Sequence, residues 1–192
     1  MVAPKGEDVR SRLQQAALDL YRERGYDRTT TQEIAARAGV TERTFFRHFP
    51  DKREVLFDGE STLRLALTTA IAEAPETLGP LETLLIAFRS TERLIEANLP
   101  FAEPRHRVIA ATPALQEREL AKIAFLTTAL AEGLQNRGLR QGPAMLAAQA
   151  GMAAFRQAAF CWFEDRTVSF GDHLDRTFRE LRALAMGADH NA

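Results

Sequence analysis

The sequence predicts an all-α protein in two parts, a small head over residues 1–57 and a larger helical body over residues 58–192. Two observations predict that class. Apolar residues return at helical spacing along almost the whole chain, and no run of strict alternation rich in Val, Ile or Thr marks a strand. The composition agrees: 45% hydrophobic and 27% charged residues, with 11 Gly and 8 Pro, describe a globular chain rather than a fibrous or disordered one.

Met1 to Glu7, with Pro4, Gly6 and little apolar content, is expected as a frayed arm. From Asp8, the residues Val9, Leu13, Ala16, Ala17, Leu20 and Tyr21 mark one face of a helix that Gly25 ends. Thr30 followed by Glu33 is a capping-box pattern and predicts a second helix over Thr31 to Ala38, with Gly39 supplying the positive φ of a tight turn. Thr41 is the N-cap of a third helix ending near Phe49, before Pro50. Asp51 with Glu54 repeats the capping pattern and predicts one long helix through Leu56, Leu63, Leu67 and Ile71 to Pro75. Pro80 opens a helix carrying Leu84, Phe88 and Ile95, and Pro100 and Pro104 flank a broken segment around His106. Thr112-Pro113 is an N-cap and N1 pair for a helix running to Gly138. Gly142-Pro143 opens a helix that is apolar around much of its circumference and must be covered on more than one face. Leu174, Phe178, Leu181 and Ala185 mark a last amphipathic helix ending at Gly187.

Charge and cysteine usage narrow the function classes. With 25 Lys+Arg against 26 Asp+Glu the net charge is -1, so no global field draws the chain to nucleic acid or to an anionic membrane. The single Cys161 excludes an intrachain disulfide and a cysteine-rich metal site. No charged-then-apolar leader opens the chain, and the most apolar run, Met145 to Phe163, is broken by Gln149, Arg156 and Gln157. A cytoplasmic protein with no membrane partner is expected.

The informative stretch is Gly25 to Leu56. Two short helices joined around Gly39, with Ile34, Ala35, Val40, Phe45 and Phe49 available for the inner faces, make a helix-turn-helix, whose second helix reads the major groove. The Thr-Thr opening, the Ile34-Ala35 helix, the Ala38-Gly39-Val40 turn, Thr44 with two aromatic residues, His48-Phe49 and Lys52 together resemble the DNA-binding domain of the TetR family of transcriptional regulators. The resemblance implies a homodimer that binds a double-stranded DNA operator and, as a repressor, responds to a small-molecule effector. It implies DNA contacts from Thr31, Gln32, Thr41, Glu42, Arg43, Thr44, Phe46, Arg47, His48 and Lys52, with Thr31 and Lys52 on phosphates. Arg43 suits a guanine edge, worth about 1–3 kcal/mol of discrimination. Phe46 stands where the family usually carries a phosphate-binding Tyr, which leaves apolar packing against sugar or a thymine methyl.

For the body the resemblance implies effector binding and dimerisation. Phe88, Phe101, His106, Phe125, Phe155 and Trp162 are candidate pocket walls, suiting an apolar or aromatic effector, although an aromatic at helical spacing is more often core than pocket and His106 also suits a solvated loop. The last two helices are candidates for the dimer bundle. There Gly151, Ala154 and Ala158 would allow close approach and Phe163 and Phe178 apolar filling, with intramolecular core as the alternative. No metal site, cofactor or enzymatic motif is expected: the four histidines are scattered, and Glu117-Arg118-Glu119 and Glu164-Asp165 read as solvated helix surface. A helical small-molecule binding protein with a vestigial DNA-binding domain is the alternative.

Overall fold

A computed structural model describes residues 5–186, and among them every regular element is helical. In chain order these are α1 (Lys5–Arg24), α2 (Thr31–Arg37), α3 (Glu42–His48), a 3₁₀ turn (Glu54–Phe57), α4 (Glu60–Glu73) and α5 (Pro80–Ser90). Then come α6 (Glu92–Ala97), α7 (Leu99–Ala110), α8 (Pro113–Asn136), α9 (Gln141–Glu164) and α10 (Phe170–Ala185). The chain divides into two compact units. The first joins the residues up to Glu60 with Leu99–Leu120, and the second joins Ser61–Asn98 with the residues from Ala121 on. A division at residue 57 therefore leaves out a later segment that packs with the first unit.

In the first unit, local chemistry sets the helix ends. α1 buries Leu13, Ala16, Ala17, Leu20 and Tyr21 and stops at Gly25, whose φ is +87°. It begins inside the stretch expected as a frayed arm. Asp51 accepts from the Arg53 and Glu54 N–H groups at 2.7 and 2.9 Å, but the expected capping box is not completed, since the Glu54 carboxylate is taken by Arg118. The cap opens only a single 3₁₀ turn, however, after which Asp58 is extended and Gly59 takes φ +89°, so the long helix expected from Asp51 to Pro75 is broken. The reason is packing. Val55, Leu56 and Phe57 are all buried in one core, which three consecutive positions on a one-sided surface helix cannot achieve. Asp58 is meanwhile held by Arg10 and by Gln14, at 2.5 and 3.2 Å.

The segment expected to be broken by Pro100 and Pro104 is instead the continuous α7. Pro100 sits in its first turn, where no N–H is needed, and Pro104 removes one internal hydrogen bond. Val108, Ile109 and Leu115 complete the core of the first unit. Arg105 bonds the Leu56 carbonyl and reaches Glu119 at 2.7 Å; Arg118 pairs with Glu54 at 2.7 Å and Glu60 at 2.8 Å. Both guanidiniums lie over the Phe57 ring, at 4.9 and 4.8 Å. Arg118 and Glu119 are thus structural ties, not the solvated surface their sequence suggested.

The second unit is built on close approach. Gly151 on α9 lies against α5 so tightly that a Cβ there would stand 2.8 Å from Leu84 Cδ1 and 3.5 Å from Phe88. Phe88 stacks on Phe155 at 4.6 Å, and Phe170 meets Phe155 and Trp162 edge-on at 5.7 Å each. α10 starts earlier than the Leu174 pattern indicated, because Ser169 is its N-cap and accepts from the Asp172 N–H at 3.1 Å. Glu92 adds a second cap by accepting the Gly171 N–H at 2.8 Å. Its expected end at Gly187 lies outside the described residues.

Candidate nucleic-acid interface

The turn between α2 and α3 is fixed by its own backbone. Gly39 takes φ +68°, the Val40 N–H donates to Ala35 O at 2.9 Å and the Gly39 N–H to Ala36 O at 3.1 Å, a Schellman closure that requires the left-handed residue. Before it, Thr30 and Glu33 form the full capping box. After it, Thr41 accepts the Thr44 N–H at 3.2 Å and starts α3. Ile34, Ala35, Phe45 and Phe49 are buried, which sets the roll of both helices and turns the other face of α3 to solvent.

That outer face holds four exposed side chains: Glu42 with Phe46 one turn on, and Arg43 with Arg47 one turn on. Arg43 and Arg47 make no hydrogen bond or ion pair among the described residues, so both guanidinium forks are available. Phe46 is 53% exposed beside the fully buried Phe45, its ring edge-on at 5.4 Å. The aromatic pair is divided between core and surface. Gln32 is exposed on α2, and Thr41 and Thr44 share a hydroxyl contact at 3.0 Å. His48 is half-buried, its Nε2 shielded and without a partner among the described residues. Desolvation, then the charges of Arg47 and Arg10, hold it toward the neutral form.

Two expected phosphate contacts are otherwise engaged. The Lys52 ammonium donates to Tyr26 O and Thr29 O, both at 2.9 Å, and lies 4.3 Å from the centre of the Tyr26 ring. The Lys52 carbonyl in turn accepts from the Tyr21 hydroxyl, whose pKa burial pushes up. Lys52 therefore ties the loop before α2 to the segment after α3. The Thr31 hydroxyl donates to Glu42 Oε1 at 2.5 Å, and its single proton is used there. The sequence held no signal for either bond, since both partners lie more than ten residues away.

The body candidates divide as well. Phe88, Phe155 and Trp162 fall in the aromatic cluster of the second unit, whereas Phe101 packs on the core of the first. His106 is exposed, and Phe125 is 50% exposed under Arg64 at 5.7 Å, so the six do not form one cluster. A cavity of about 300 Å³ between α4 and α8 is lined by Arg64, Thr68, Ala72, Ala129, Glu132, Gly133, Asn136 and Arg137, none of them among the six. Of the dimer candidates, Gly151, Ala154, Ala158 and Phe178 are buried within the chain and Phe163 is half-buried. The small residues of α9 serve packing inside one chain. The exposed side of α9 instead carries Leu146, Ala153 and Phe160. Cys161 is half-buried, its Sγ accepting from Gln157 at 3.4 Å. No described helix is long and apolar enough to cross a membrane.

A helix-turn-helix with an open basic face, on a chain otherwise built of helices, is the architecture of a DNA-binding regulator. Residues 13–58 match the family described as bacterial regulatory proteins, tetR family, and residues 78–185 match the MftR C-terminal domain. The chain belongs to the TetR family of transcriptional regulators. It is 38% identical to the HTH-type transcriptional regulator TcmR of Streptomyces glaucescens over 82 residues, 43% of this chain but only 36% of TcmR. A TetR-family transcriptional regulator from Syntrophomonas wolfei shares the fold at TM-score 0.69 and 18% identity, over 98% of this chain and all of the other. The SmeT–triclosan complex superposes at TM-score 0.61 and 20% identity, over 90% of each chain. Thermus thermophilus FadR with lauroyl-CoA does so at 0.56 and 24%, over 95% and 96%.

Proposed function

We propose that this chain is a cytoplasmic, homodimeric repressor that reads a palindromic double-stranded operator through α3 and leaves it when a small apolar or aromatic effector binds the second unit. The observation that carries the reading is the outer face of α3. Arg43 and Arg47 stand exposed on it beside Glu42 and Phe46, at the helix that enters the major groove in such units. Arg43 and Arg47 offer bidentate recognition of guanine, and Phe46 offers apolar contact with a thymine methyl. One helix-turn-helix contacts too few base pairs to find a site in a genome, so twofold symmetry is expected, with reading helices ~34–36 Å apart. Leu146 and Phe160, 68% and 51% exposed on α9, supply apolar surface for a second copy. SmeT with triclosan and FadR with lauroyl-CoA support an apolar effector, and the cluster of Phe88, Phe155 and Trp162 supplies side chains of matching chemistry.

Selection of bound duplexes from a random pool tests the reading. The wild type is expected to recover one palindrome, bound by two chains, and Arg43→Ala with Arg47→Ala is expected to relax its guanine positions. The affinity should fall steeply with salt, by a slope of about 0.9 per phosphate contact on logarithmic axes. Recovery of no palindrome, or a flat salt response, would leave the helical small-molecule binding protein as the better description.

A further inference from the structure

The bond between Thr31 and Glu42 assigns a role to both residues that neither has alone. Thr31 opens α2 and Glu42 opens α3, and the Gly39 turn brings the two helix starts together so that Thr31 Oγ1 donates to Glu42 Oε1 at 2.5 Å. Glu42 is exposed, and this hydroxyl is its hydrogen-bond partner among the described residues, leaving Oε2 open to an incoming group. The carboxylate is thus held at the N-terminal end of the reading helix, the end that approaches base edges.

An ionised carboxylate only accepts hydrogen bonds. In the major groove the donors are the N4 amino group of cytosine and the N6 amino group of adenine, whereas guanine and thymine present acceptors or a methyl. Good recognition of adenine also needs a donor for its N7, which a carboxylate lacks, so cytosine is the complementary base. A negative charge on a surface that must approach phosphates is otherwise a cost, offset only where a donor meets it. Resting on the DNA-reading function proposed above, we infer that Thr31 is a positioning residue for Glu42, and that Glu42, held in this way, reads the N4 amino group of one cytosine in each half-site. The bond orients the carboxylate before DNA arrives, so its rotamer need not be ordered on binding.

The test uses the full chain, first in selection and then in titrations on the selected site and its single-base variants. The wild type is expected to prefer cytosine at one position of each half-site, with affinity falling about 5- to 150-fold for the other bases there. Glu42→Ala should abolish preference at that position and leave the others. Thr31→Val should weaken it there alone, Thr31→Ser should retain it, and Thr31→Val should add nothing in the Glu42→Ala background. Melting temperatures of the variants verify that they fold. A cytosine preference that survives Glu42→Ala overturns the inference while leaving the DNA-reading function intact. A Thr31→Val effect spread evenly over all positions overturns the positioning role in favour of a phosphate contact. Failure of the wild type to select any site removes the DNA-reading function itself, and the inference with it.

Discussion

In the first unit the Phe57 ring meets two guanidiniums, Arg105 at 4.9 Å and Arg118 at 4.8 Å, which are themselves tied to Glu119, Glu54 and Glu60. In the second unit Phe88 lies against Phe155 at 4.6 Å and Phe178 at 6.1 Å. Each arrangement fixes an aromatic ring, and the two respond to different perturbations. The cation-flanked ring depends on ion pairs that keep partial contact with water: the Arg118, Glu54 and Glu60 side chains are 20%, 25% and 16% exposed. The aromatic stack depends on volume, since Phe88 and Phe178 are fully buried. One is sensitive to salt and to loss of a charge, the other to loss of a methylene.

Removing the Phe88 ring is expected to have the largest effect. Phe88→Ala should cost about 3–5 kcal/mol, read as a fall in denaturation midpoint that salt does not change. A loss under about 1 kcal/mol would show that the stack is not a core. Next, Arg118→Ala strands two carboxylates and should cost about 1–3 kcal/mol, between the values for exposed and buried pairs. Here salt is the discriminator: its difference from wild type should shrink toward about 1 M NaCl, and an unchanged difference would mean that the guanidinium acts by packing on Phe57. The smallest effect concerns pH. Glu33 is held below the ordinary carboxylate range by the Thr30 N–H, then by the Thr30 hydroxyl and the charge of Arg24. A depressed acid binds fewer protons folded than unfolded, so its contribution is present above the ordinary carboxylate pKa and is lost as pH falls through the lowered value. Glu33→Gln should therefore flatten the acid limb of the melting-temperature profile and leave the neutral region nearly parallel to wild type.

The helix-turn-helix was legible because its signals are short-range. Thr30 and Glu33 are three residues apart, Thr41 and Thr44 likewise, and Gly39 closes its turn onto Ala35 and Ala36. The interruption at Asp58 and Gly59 was not legible, because Asp51 does cap a helical turn and only the burial of three consecutive residues shows that the turn must end. Pro104 misled in the opposite sense: a proline that costs one hydrogen bond is tolerated where Val108 and Ile109 are buried. On α9 the small residues left a second copy and the chain's own core open as partners, and at Gly151 it is α5 of the same chain that lies close.

By itself, then, the amino-acid sequence determined an all-helical chain and the turn of the reading head, and it pointed to Glu42, Arg43 and Arg47 on α3, while the structure put Phe46 rather than Phe45 beside them. Those features rest on hydrogen bonds and periodicities that close within a few residues, where the chain has few alternatives. Tertiary structure alone decided that Leu99–Leu120 packs with the head, that Lys52 is an internal tie, and that Thr31 holds Glu42. Those contacts join residues at least 11 positions apart, and a chain selects such partners only when burial of its apolar faces has brought the segments together.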